Sequence, residues 1–128
     1  MSKSVFTFHH SLDGYSLDRY YAGNLAYASD MFSFYVQHHP SQVMLLRSLL
    51  HAEDWEGMAF QLHKLGPSIA MVGLSGLAEE SLRLKKLIRQ QADARLLNTL
   101  TETFLEDLQT QLPLIQGELS RMRQAMAN

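Results

Sequence analysis

An all-α fold, an antiparallel up-down four-helix bundle with a short additional N-terminal helix, is predicted by three observations. After Ser16, apolar residues recur at three- and four-residue spacing almost throughout. Beyond that point no Asn-Gly or Asp-Gly pair separates alternating runs, as strand hairpins would require. Helix-capping residues stand so close to the ends of the preceding apolar stripes that successive helices must turn back on one another. At 128 residues, one domain can bury about two thirds of the surface its unfolded chain exposes, so no metal or disulfide staple is needed.

Met1 to Tyr15, with His9, His10 and Gly14, shows no period and reads as an arm lying on the body, leaving residues 16–128 as the bundle. A short helix is expected from Leu17 to Tyr21, ended by Gly23. Asn24 is placed to cap a helix whose stripe is Leu25, Ala28, Met31, Phe32, Tyr35 and Val36. Pro40 should bend or divide it, with Val43, Leu46, Leu49 and Leu50 continuing the face to Ala52. Asp54 can cap the next helix, with Trp55, Ala59, Leu62, Ile69 and Val72 inward and Gly73 at its end. Ser75 can cap a fourth, carrying Leu77, Ser81, Leu84 and Ile88. Asp93 can cap a long last one, carrying Leu97, Leu100, Phe104, Leu108, Leu112, Ile115, Leu119 and Met122, with Pro113 bending it.

Composition removes several function classes. Eleven Lys and Arg against thirteen Asp and Glu give a formal charge of -2, which argues against a surface built to neutralise a nucleic-acid backbone. With no cysteine, disulfide scaffolds, zinc-thiolate sites and thiol nucleophiles are excluded. No apolar run approaches the ~20 residues of a membrane span, and Met1-Ser2-Lys3-Ser4 leads into no signal-peptide core. A soluble, cytoplasmic protein without nucleic-acid or membrane partners is expected. His9, His10, His38, His39 and His51 invite a metal reading, but the Glu-x-x-His pairs of helical carboxylate sites do not occur, so no metal site is assigned. Phosphate loops and Ser-His-Asp orders are absent as well.

The unusual stretch is Leu62-His63-Lys64-Leu65-Gly66-Pro67-Ser68-Ile69-Ala70-Met71-Val72-Gly73-Leu74. Two helix breakers sit in the middle of a helix, at a cost of about 1 kcal/mol for an interior Gly and about 3 for an interior Pro. At about 100° per residue, His63 falls at the solvent edge of the buried stripe. Its neighbours at three- and four-residue spacing are Ala59, Phe60, Gly66 and Pro67, three of them small or compact. Pro67 has no amide hydrogen to offer the His63 carbonyl, so the backbone should bend at the histidine. The bland reading is a kink that shapes packing. The sharper one is a low-relief surface beside a nucleophilic imidazole, which a second protein can approach closely.

The segment from His63 to Gly73, with the Trp55 helix before it, resembles the histidine-containing phosphotransfer (HPt) domain of multistep His-Asp phosphorelays. In that family a helix carries His-x-Leu-Lys-Gly or His-Lys-Leu-Lys-Pro, then a small residue, then a Gly ten positions after the histidine. Here His63, Leu65, Pro67, Ser68 and Gly73 stand at those places. A weaker similarity runs from about His9 to Ile115.

The resemblance implies that His63 accepts a phosphoryl group from a receiver-domain aspartate and passes it to another receiver. The chain would then be a phosphocarrier and not a free-standing enzyme. Neutral imidazole, abundant at pH 7 because histidine titrates near 6.5, is the nucleophile. The receiver partner is expected to supply the carboxylate, Mg²⁺ and a lysine, so the bundle itself needs no cofactor. Expected partners are response-regulator receiver domains and a hybrid sensor histidine kinase.

One departure matters. The family's usual Lys three residues after the histidine, expected to neutralise phosphoryl oxygens, is Gly66 here. Lys64 points about 100° away and can support the site only weakly. Lys85 stands 22 residues after His63, where the resemblance implies a polar side chain reaching over from the adjacent helix, and Gly66 would leave it room. Phe60, Ala59, Gly66, Pro67, Ala70 and Lys86 are the residues expected to meet a receiver. Lys86 belongs to a basic cluster with Arg83, Lys85 and Arg89 that suits a receiver's acidic pocket or, equally, a solvated face. The alternative function is a degenerate module that docks receivers through the same face and modulates signalling without carrying phosphate.

Overall fold

Residues 6–128 are described by a computed structural model, which places five helices among them: α1 (Gly14–Tyr21), α2 (Leu25–His51), α3 (Trp55–Ala70), α4 (Ser75–Arg89) and α5 (Ala94–Ala127). The first five residues of the expected arm lie outside the described residues. Helices α2, α3, α4 and α5 close a ring in which α3 pairs with α4, α4 with α5, α5 with α2 and α2 with α3, while α1 adds to α2. This is the all-α four-helix bundle with an N-terminal helix that the periodicity predicts.

Short polar side chains start most of these helices by taking over an orphan amide hydrogen. Asn24, Asp54 and Asp93 accept from the amides of Tyr27, Gly57 and Leu96 respectively. Three details differ from expectation. Asp13 caps α1 through the Ser16 amide, so Gly14 and Tyr15 belong to a helix and not to the arm. Ser75 is not a cap: Leu74 holds that position and makes no side-chain capping bond. Helix α3 ends at Ala70, and Gly73 lies in the turn after it at φ +83°.

At 1.5 Å per residue, α2 and α5 are about 40 and 50 Å long and α3 and α4 are under about 25 Å. The two short helices leave one end of the long pair bare. The arm and α1 fill that space: Leu12, Leu17 and Tyr21 are buried, Phe8 stacks on Phe32, and Phe6 packs edge-on to Phe8. The Asp13 amide donates to the Gly73 carbonyl at 2.9 Å and the Tyr21 hydroxyl to the Met71 carbonyl at 2.5 Å. Gly73 is needed twice over, for its positive φ and because a Cβ there would lie 2.7 Å from Leu17 Cδ1. On the α5 side, the buried Glu118 carboxylate accepts from the His9 amide and from Arg121, which also donates to the Thr7 carbonyl.

Both interior prolines of the long helices are accommodated without a break. Pro40 lies inside α2 and Pro113 inside α5, so α2 is one helix and not two pieces. Inside the ring, Phe32, Leu46, Met58, Leu62, Ile69, Phe104, Leu108, Ile115 and Met122 form the fully buried centre.

Candidate phosphotransfer site on the α3–α4 face

The site is laid out by the buried stripe of α3. With Met58, Leu62, Leu65 and Ile69 held in the core, 100° per residue turns Gly66 and Ala70 toward α4 and puts His63, Pro67 and Phe60 progressively further out. His63 is exposed, Pro67 is exposed, Gly66 and Ala70 are half-buried, and Phe60 is 60% exposed. Ala59 is corrected as a docking residue: at 7% exposure it belongs to the core, as the inward stripe of α3 predicts, and offers no surface to a partner.

Antiparallel pairing sets α4 against this strip. A Cβ on Gly66 would come within 3.3 Å of Ser81 Oγ, so the seam is fitted to a residue without one. One turn from that contact in each helix stand His63 and Lys85, and Lys85 Nζ lies 3.3 Å from His63 Nδ1. The half-buried stem of Lys85 crosses from α4 to the ring, leaving the ammonium beside it. Lys64 goes elsewhere. Its Nζ lies 5.3 Å from the centroid of the Phe60 ring, one turn back on the outer side of α3. Of the two lysines singled out from the sequence, Lys85 is at the imidazole and Lys64 is not.

Lys86 is exposed, as are Arg83 and Arg89. Sequence reasoning missed Leu82, which is 58% exposed. The signal was there: with Ser81 and Leu84 inward, Leu82 falls well off the stripe, on the same side of α4 as Lys85 and Lys86. Phe60 and Leu82 thus put exposed apolar bulk on the two helices that carry His63 and Lys85. Among the described residues, no three His, Asp or Glu side chains gather as a metal-binding group. His39 is instead a packed residue whose Nε2 meets the Leu108 carbonyl at 3.0 Å.

This arrangement presents one exposed imidazole, with the Lys85 ammonium at one ring nitrogen and the half-buried Gly66 and Ala70 along the same strip. A family model described as Hpt domain matches residues 30–125. The chain belongs to the Hpt domain family. No curated protein and no solved structure matches it significantly. Hpt domains are phosphotransfer intermediates of His-Asp phosphorelays, modules that carry a phosphoryl group and do not catalyse, and they interact with receiver domains. In this Hpt domain no helix of the described residues is long and apolar enough to cross a membrane.

Proposed function

We propose that His63 is the phosphoacceptor, taking a phosphoryl group from a receiver aspartate and returning it to the aspartate of a second receiver. One observation carries the reading: on an exposed strip of α3, the imidazole stands with Lys85 Nζ 3.3 Å from its Nδ1. The ring is oriented through one nitrogen while the other is open to an incoming group. In-line phosphoryl transfer depends chiefly on positioning and charge neutralisation. This face offers the first through the α3–α4 seam and the second through Lys85, which takes the place left vacant by Gly66. Phe60, Pro67, Ala70, Leu82 and Lys86 form the docking surface around it. Mg²⁺ and the second carboxylate belong to the receiver, and the bundle binds no cofactor of its own. A hybrid sensor kinase supplies the first receiver, in the cytoplasm.

Incubating the protein with a receiver charged by acetyl phosphate tests this. Label that is acid-labile and alkali-stable should appear on the wild type and not on His63→Gln. Receiver binding without label on the wild type would instead identify a docking module that has lost phosphate transfer, the reading that Gly66 in the usual lysine position favours.

A further inference from the structure

The Lys85 contact fixes more than the direction of the His63 ring. A lysine ammonium has three N–H donors and no acceptor. At 3.3 Å it therefore hydrogen-bonds Nδ1 only if Nδ1 offers its lone pair. In neutral imidazole one ring nitrogen carries the hydrogen and the other the lone pair. The lone pair turned to Lys85 leaves the hydrogen on Nε2, and a nitrogen bearing a hydrogen has no in-plane lone pair with which to attack phosphorus. We propose that Lys85 is a positioning residue that holds resting His63 in its unreactive Nε2–H tautomer and changes partner, from Nδ1 to the phosphoryl oxygens, when the group arrives. The inference rests on His63 being the phosphoacceptor, through Nε2.

The steps balance as follows. Nε2 gives its hydrogen to water and Nδ1 takes one from water, so the ring stays neutral with the lone pair now on Nε2. That pair forms the N–P bond as the P–O bond to the receiver's aspartate breaks, and the carboxylate leaves with the bonding electrons. The ring keeps Nδ1–H and carries the positive charge of the new phosphoramidate. Nδ1–H is then a donor facing a donor, so the contact with Lys85 is lost. The nearest anion is the phosphoryl group itself, to which an ammonium makes a charge-assisted bond. Gly66 makes this double duty both possible and necessary. It places no side chain between the helices and no second cation one turn from the ring.

The test reads the tautomer directly, with no partner and no phosphate present. Two-bond ¹H–¹⁵N correlations of the neutral His63 ring are compared in wild type, Lys85→Met, which has no hydrogen-bonding group, and Lys85→Gln, whose amide oxygen can accept from Nδ1–H. The Nε2–H to Nδ1–H ratio should be about twofold or more higher in wild type than in Lys85→Met, the low end of what one net hydrogen bond provides, and lower than wild type in Lys85→Gln, whose amide can pair with either tautomer. A wild-type ratio equal to that of Lys85→Met overturns the proposal. Lys85 is only half-buried, and unchanged helical circular dichroism shows that each variant is folded. In phosphorylated protein, Lys85→Met should shorten the phosphohistidine lifetime several-fold and Lys64→Met should not; equal lifetimes overturn the change of partner. A lysine-dependent ratio in a chain that never takes up phosphate sinks the functional reading alone. Uptake with a lysine-independent ratio sinks only the latch.

Discussion

Gly66 faces Ser81 across the seam between α3 and α4, where a Cβ would lie 3.3 Å from Ser81 Oγ, a hydroxyl already turned back to the Ala78 carbonyl at 2.7 Å. The helices are spaced for a hydrogen at this point. That spacing brings Lys85, one turn beyond Ser81, level with His63, one turn before Gly66.

Gly66→Ala therefore sets two effects of similar size against each other. Alanine is better than glycine inside a helix by about 1 kcal/mol, and crowding a fitted contact costs about 1 kcal/mol or somewhat more. Net stability should change by less than about 1 kcal/mol. In a Ser81→Ala background the crowding is gone, and the same substitution should stabilise by about 1 kcal/mol. Urea unfolding of the four proteins measures the coupling; additivity within about 0.3 kcal/mol would mean that the two positions do not touch.

Phe60 and Leu82 are exposed on the site's two helices, so removing them should affect binding and leave folding alone. Phe60→Ala and Leu82→Ala should each weaken receiver binding by about 1 to 2 kcal/mol, as truncating an interface anchor does. Their unfolding free energies should stay within about 0.5 kcal/mol of wild type. Leu96, also exposed but at the start of α5, is the control, and isothermal titration with a receiver should find Leu96→Ala unchanged.

Glu118 is 2% exposed, and its partners are the His9 amide at 2.9 Å and Arg121. Glu118→Ala leaves the His9 amide without an acceptor and Arg121 with the Thr7 carbonyl alone, which loosens the arm on α5. Since Arg121 is half exposed, part of the loss is recovered by water, and a cost of about 2 to 3 kcal/mol is expected. Hydrogen exchange should show the His9 amide losing protection far more than amides of the α3–α4 hairpin. Retained protection at His9 would show that the aromatic contacts of Phe6 and Phe8 and the Arg121 bond to the Thr7 carbonyl hold the arm without Glu118.

The Tyr35 hydroxyl is buried with no hydrogen-bond partner among the described residues, and burial pushes the phenol above its usual 10. Tyr21 shifts in the same direction, from burial first and then from Tyr27 and Tyr20. A raised pKa in the folded state means that the unfolded chain releases its proton first. The stability tied to the neutral phenol is complete below about pH 10 and is lost as pH rises toward the folded-state value. Tyr35→Phe should leave stability at neutral pH unchanged or raise it by up to about 1 kcal/mol, because a buried hydroxyl without a partner is removed and no hydrogen bond is broken, and should lose less stability than wild type above about pH 10. Tyr21→Phe gives up its bond to Met71 and should cost about 1 kcal/mol at neutral pH. Unfolding midpoints in urea from neutral to alkaline pH separate the two; parallel curves for Tyr35→Phe and wild type would sink the argument.

The parts of this structure legible in the sequence are those encoded by single residues or strong periods. Asn24, Asp54 and Asp93 each announce a helix start because one side-chain oxygen suffices to cap it. Asp13 does the same with Ser16 three residues on, but the helix it opens is only eight residues long, too short for its apolar period to stand out. His63, Gly66 and Pro67 drew attention as breakers beside an imidazole, and the reach of Lys85 followed from the family resemblance. Ala59 lies in the core as the inward stripe predicts, and its small size beside His63 is not enough to make it a docking residue. The burial of Glu118 is not legible in the sequence, since the His9 amide it accepts from lies on the arm, more than a hundred residues away in the chain.

Residues Met71 to Leu74 are all that separates α3 from α4. Bringing His63 and Lys85 together therefore closes only a short stretch of chain, at small entropic cost, and the seam can zip up by local contacts before distant parts of the polypeptide find their places. The working surface is thus a nearly self-contained cassette. On the proposed function, partner choice can drift through outward positions of α4 while the remainder of the bundle continues to fold as before.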